Sequence, residues 1–135
     1  MLKLILGVKG SGKTKALIGM ANGALDKTDG AVVCIEKGTK LIHEIKYQAR
    51  LIDTNEYKIL NAGELYGFIA GVYASNHDVT DVFVDSALKI CNNDMDAFIK
   101  FMSEIADFSQ AHNINFLVTS SIPADEVPEE LKAYL

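Results

Sequence analysis

Residues 7–14 read GVKGSGKT, a glycine-rich octapeptide that ends in a lysine and a threonine. It meets the pattern G-x-x-x-x-G-K-[ST] at every fixed position, with Gly7, Gly12, Lys13 and Thr14. Each fixed residue has a physical reason. Glycines let the backbone bend until successive amide N–H groups face one concavity, and they keep side chains out of it. A helix starting near Lys13 adds unpaired N-terminal amides and the positive end of its dipole. The candidate phosphate-contacting set is therefore Gly7, Val8, Lys9, Gly10, Ser11, Gly12, Lys13, Thr14 and Lys15. Lys13 is aimed at the β- and γ-phosphates of a nucleotide, and Thr14 offers its hydroxyl to Mg²⁺. The bland alternative is a glycine turn carrying a solvated lysine. Context separates the two, because a phosphate loop needs a strand leading in, a helix leading out and a carboxylate on another strand.

The flanking sequence supplies all three. Residues 2–6 (LKLIL) are predicted as a strand, and from residue 13 to about 25 Ala16, Leu17, Met20, Ala21, Ala24 and Leu25 recur at helical spacing. Short apolar runs then alternate with helix-period segments, the pattern of a parallel α/β sheet. Residues 31–36 (AVVCIE) read as a strand covered on both faces. The spacing of Ile42, Ile45, Ala49 and Ile52 predicts a helix over 40–52, and 57–60 (YKIL) reads as an edge strand. Asn61 with Glu64 three residues on predicts a helix N-terminus. Behind it come Leu65, Phe68, Ile69, Val72 and Tyr73, then a strand at 80–86 (TDVFVDS), a helix from Asp94 to about His112, and a last strand at 115–121 (NFLVTSS). Pro128 suits the first position of one acidic turn.

The carboxylate is Asp85, which ends the apolar run Val82-Phe83-Val84 and is the second candidate Mg²⁺ holder beside Thr14. Its alternative is a strand-end aspartate capping a turn with Ser86. Asp81 precedes the apolar run and reads as surface charge.

Composition narrows the partners. The chain has 135 residues, 49% hydrophobic and 23% charged, which fits one globular domain and not a disordered segment. Its net charge is −5, and Arg50 is its only arginine, so the broad basic footprint of a duplex-binding protein is absent. Cys34 and Cys91 are read as reduced structural thiols: there is no secretory segment and no short CxxC pairing. No run of about 18 apolar residues is present, so no membrane span is expected, and the expected location is cytoplasmic. His43, His77 and His112 lack metal-ligand spacing, and Ser86, Ser120 and Ser121 lack a nucleophile-elbow frame.

GVKGSGKT, AVVCIE, YKIL, TDVFVDS and NFLVTSS together resemble the RecA-like branch of P-loop ATPases, over about residues 1–121. The resemblance implies a three-layer α/β fold: a mostly parallel five-stranded sheet, helices on both faces, and strand order 1-5-4-2-3. Residues 122–135 then form a short acidic segment packed on or extending from that core. The resemblance also places Thr119 and Ser120 where the family has a polar residue sensing the γ-phosphate. Many ATPases of the wider class carry a glutamate directly after the metal aspartate, and here that position is Ser86. RecA-like proteins bring a glutamate from the end of the neighbouring strand, which makes Glu36 the candidate base. Its alternative is an ordinary strand-end carboxylate, paired with Lys37.

The expected cofactors are ATP and Mg²⁺, with Lys13, Glu36 and Asp85 as the catalytic set. The expected function is an ATPase of low intrinsic activity. Homo-oligomerisation, or a protein partner, would supply residues in trans. The alternative is a non-hydrolysing, nucleotide-gated switch or accessory module. A small-molecule kinase would need a lid rich in arginines, and a GTPase would need an N-K-x-D segment where NFLVTSS runs into Ile122-Pro123. Lys40, His43, Lys46, Tyr47 and Arg50 form a candidate basic stripe on the expected 40–52 helix, although a solvated amphipathic face explains them as well. Nucleic acid is therefore not the favoured partner.

Overall fold

The computed structural model describes residues 1–135. Five strands form one sheet, β1 (Leu2–Gly7), β2 (Ala31–Glu36), β3 (Arg50–Asp53), β4 (Val79–Val84) and β5 (Asn115–Ser121). Every pairing is parallel, and the spatial order is β1-β5-β4-β2-β3. The helices are α1 (Lys13–Lys27), α2 (Ala62–Ser75), the single turn α3 (Ala87–Ile90) and α4 (Met95–His112).

The register explains why these strands bury both faces. Leu4 pairs with Val118, Val118 with Val84, Val84 with Ile35, and Ile35 with Ile52, so one apolar row crosses all five strands. That row joins Leu65 and Ile69 of α2 and Phe98, Phe101, Met102 and Ile105 of α4 in the larger core. Burying each large apolar side chain contributes about 1.5–3 kcal/mol. The alternate residues Val32, Cys34, Phe83 and Leu117 face the other way, against Leu17 and Ala21 of α1 and against Leu41, Ile45 and Ala49.

Local signals fix the helix starts. The Asn61 side chain accepts from the Glu64 amide at 2.9 Å while the Glu64 carboxylate accepts from the Leu60 amide at 2.7 Å. Asp94 accepts from the Ala97 amide at 3.1 Å. Each cap is worth about 1 kcal/mol. Past Ser121 the chain runs through two 3₁₀ segments, Ala124–Glu126 and Glu129–Tyr134, and Leu131 is fully buried against the larger core.

Two expectations are corrected. There is no helix over 40–52. A 3₁₀ turn, Lys40–His43, is followed by a turn and then by β3 from Arg50. Of the expected stripe, Ile45, Ala49 and Ile52 are buried but Ile42 is exposed, and Leu41 takes its place against the core. Leu51 and Ile52 instead extend along β2, which gives that strand's free edge its hydrogen bonds. The second correction is that 57–60 is not the edge strand. Lys58 has φ 55, which is left-handed backbone, and Ile59 donates back to the Thr54 carbonyl at 3.0 Å. The basic stripe falls with the helix. Lys46 pairs with Asp26 at 3.0 Å, and Arg50 opens β3 at the end of that strand away from Asp53. No helix of the chain is long and apolar enough to cross a membrane.

Candidate functional site

All five strands run the same way, so their C-terminal ends share one edge of the sheet. In open α/β sheets that edge is where ligand crevices form. Counting one residue on from the central apolar row gives Thr119 after Val118, Asp85 after Val84, Glu36 after Ile35 and Asp53 after Ile52. By the period of two, these polar residues share the α1 face. Parity alone therefore puts three carboxylates and a hydroxyl on one face at the strand ends, with Thr119 and Asp85 on the strands nearer the loop joining β1 to α1 and Asp53 on the far edge strand.

The loop has the backbone that its glycines permit. Gly10 and Gly12 have φ 84 and 92, a region that disfavours side chains, and Gly12 is the residue before α1. A Cβ on Gly7 would meet the Ser11 hydroxyl at 2.5 Å. Within the loop the Ser11 amide donates to the Val8 carbonyl at 3.2 Å. The amides of Gly12, Lys13, Thr14 and Lys15 donate to no protein acceptor, as expected for a helix start without a side-chain cap. They make a cluster of donors at the positive end of the helix dipole. The Lys13 stem is buried, and its ammonium donates to the Val8 carbonyl at 2.8 Å. Val8, Lys9 and Lys15 are exposed.

Thr14 faces Asp85. Its hydroxyl lies 3.2 Å from each carboxylate oxygen, so one proton is shared between two acceptors. Asp85 is buried and is held from two further directions. The Thr119 hydroxyl donates to its Oδ1 at 2.7 Å, and its own amide donates to the Ile35 carbonyl at 2.9 Å. Ser86 follows in left-handed backbone (φ 55), with its amide donating to the Thr119 hydroxyl at 2.9 Å.

Glu36 is also buried. One oxygen, Oε2, accepts from the Leu41 amide at 2.8 Å and so ties down the 3₁₀ turn after β2. Lys37 is exposed and makes no ion pair with it. The Glu36 charge also adds to burial in pushing the Cys34 thiol up to about 12; burial is the larger cause.

Ser120 stands apart from this group. It is buried on the opposite face, where its hydroxyl accepts from the Leu88 amide at 3.1 Å and anchors the start of α3. Asp53 was not anticipated. Its carboxylate accepts from the Gly38 and Asn55 amides, both at 2.9 Å, and holds the loop after β2. The signal was present in the sequence: RLID ends an apolar run with an acid just as AVVCIE does.

One hollow adjoins the arrangement and a larger one lies away from it. One of about 360 Å³ opens beside Gly7, walled by Leu6, Ile122 and Val127 with Lys132 at its rim. A larger groove of about 610 Å³ lies at the opposite edge of the sheet, between α1 and the strand starts, and includes Met20, Phe83 and Leu117. It touches none of Lys13, Thr14, Glu36, Asp85 and Thr119.

No protein-family model matches the sequence, and no curated protein matches it.

Proposed function

We propose that this chain is an ATP-binding phosphate-loop protein of the RecA-like type, and that it hydrolyses ATP slowly in a Mg²⁺-dependent way. The observation that carries the reading is the meeting of Thr14 with both oxygens of Asp85 at 3.2 Å, directly after a bend whose amides are unpaired. A glycine turn with a solvated lysine gives no reason for a strand-end carboxylate to be buried against the first helical turn.

The donor set fits Mg²⁺. It offers one hydroxyl and one carboxylate, both hard oxygen donors. Mg²⁺ is commonly bound by one or two protein oxygens together with phosphates and water, so a dedicated cage is not needed. Thr14 and Asp85 would hold the ion, which would supply neutralisation of the phosphate charge.

The chain's own residues then have distinct tasks. The amides of Gly12 to Lys15 bind phosphate oxygens. Lys13 exchanges the Val8 carbonyl for the β- and γ-phosphates. Glu36 orients the attacking water and takes its proton on Oε1, the oxygen not bonded to Leu41, as the bond between the γ-phosphorus and the bridging oxygen breaks and ADP leaves. The hollow beside Gly7 gives the nucleoside an apolar wall. The absence of an N-K-x-D segment after β5 favours adenine over guanine.

Slow turnover follows from what the site lacks. Ser86 occupies the position directly after Asp85, and Arg50, the only arginine, starts β3 away from the strand ends. An arginine supplied by a second copy or a protein partner would add about 10³–10⁵-fold. Nucleic acid is not the favoured partner at a net charge of −5.

A second reading has its own support. Glu36 already holds Leu41, so its task is met if it only couples nucleotide occupancy to the turn at Lys40–His43. The chain would then be a nucleotide-gated switch without turnover. Equilibrium binding and phosphate release for the wild type, Lys13→Ala and Glu36→Gln separate these cases. Mg-ATP binding that depends on Lys13 supports both readings, and turnover that depends on Glu36 supports the first. No binding at millimolar ATP removes both.

A further inference from the structure

Resting on the phosphate-loop reading above, we propose that Thr119 is a positioning residue. It aims the Asp85 carboxylate at the metal and makes no contact with nucleotide itself. A hydroxyl has one proton to give and lone pairs to receive. The Thr119 proton goes to Asp85 Oδ1 at 2.7 Å, the shortest bond that Asp85 makes. A lone pair receives the Ser86 amide at 2.9 Å. Thr119 has no exposed surface, so a phosphate could reach it only by displacing a neighbour. Both functions of the hydroxyl are therefore used inside the protein.

The consequence for Asp85 is asymmetric. Oδ1 is fixed from behind by Thr119, while Oδ2 has only the shared, longer bond to Thr14. Oδ2 is the oxygen left to act on a metal and its water shell. The same hydroxyl also pins the Ser86 amide, so the side chain of Asp85 and the backbone that follows it are both referred to β5. Without the hydroxyl, the carboxylate gains rotational freedom and loses its set direction.

The test is the ratio of ATP dissociation constants measured by calorimetry without and with Mg²⁺, at fixed ionic strength. Thr119→Val keeps the shape and removes the hydroxyl, and Thr119→Ser keeps the hydroxyl. The expected result is that Thr119→Val loses about tenfold of the Mg²⁺-dependent gain, the size usual for partners that orient metal ligands, with Mg²⁺-free affinity held within about twofold. Thr119→Ser should restore the gain. A Thr119→Val variant that weakens Mg²⁺-free binding equally would make Thr119 a phosphate contact, and an unchanged ratio would leave it no part in metal holding; either overturns the proposal. A wild type that binds no ATP in either condition would instead remove the reading underneath. Should Thr119→Val fail to fold, proton NMR of the wild type decides. The Thr119 hydroxyl proton should stay protected from exchange when Mg-ATP is added, and loss of that protection refutes the assignment.

Discussion

Replacing Lys13 by alanine separates binding from folding. In the structure the Lys13 ammonium has one partner, the Val8 carbonyl at 2.8 Å, on an exposed loop. Losing a bond of this kind costs about 1 kcal/mol, and the freed carbonyl can turn to water. For a domain of this size that is a fall in melting temperature of about 3–5 °C. Binding should suffer far more. A unit charge about 4 Å from a phosphate charge, at an effective dielectric near 20, is worth about 4 kcal/mol. Lysine gives up its bond to Val8 to make that contact, which leaves about 3 kcal/mol, or on the order of 100-fold in dissociation constant. Calorimetric titration with Mg-ATP reads the affinity, and circular dichroism on the same samples reads the fold. A folded Lys13→Ala protein that binds Mg-ATP as tightly as the wild type refutes the reasoning.

Three other outcomes are expected. Glu36→Gln keeps an oxygen for the Leu41 amide, so ATP affinity should hold within about twofold while phosphate release falls about 10²–10⁴-fold; equal release removes Glu36 from the chemistry. Asp94→Ala removes the cap of α4 and should cost about 1 kcal/mol in urea unfolding, with nucleotide affinity untouched; a change below a few tenths would contradict the capping role. Cys34 and Cys91 are both pushed up to about 12, by burial first and by Glu36 and Asp94 respectively second, against about 9.0 when free. The folded state therefore keeps these protons while the unfolded chain releases them, so stability is full below about pH 9 and falls as pH rises toward 12. Urea midpoints at pH 8 and 10.5 measure that fall. The Cys34→Ala/Cys91→Ala double variant should lose less, and an identical loss would exonerate the thiols.

The parts of the fold that local sequence determines were readable, and the parts that depend on partners were not. The strand at Leu2–Gly7, the helix from Lys13 and the capped starts at Asn61 and Asp94 follow from short patterns. The strand order β1-β5-β4-β2-β3 came from family resemblance, since apolar runs carry no label for their neighbours. β3 is hidden in the sequence because RLID is only four residues long and its Ile52 continues the helix-like spacing of Ile42, Ile45 and Ala49. The left-handed Lys58 that breaks YKIL has no signature, because lysine rarely adopts that backbone. At the strand ends, strict alternation puts Thr119 and Ser120 on opposite faces, so the two residues that the resemblance offers for one role are separable from the sequence. The Leu41 amide on Glu36 could not be foreseen, because a backbone donor looks the same in every sequence.

On the proposed function, the bend at residues 7–14 closes its amides around a polyphosphate. Nitrogen–proton NMR of the uniformly labelled wild type, titrated with Mg-ATP, tests it residue by residue. The amide protons of Gly12, Lys13, Thr14 and Lys15 should move downfield together and saturate, while those of Gly19 and Gly23, along α1 and away from the loop, stay still. Unmoved loop amides at millimolar Mg-ATP would contradict it.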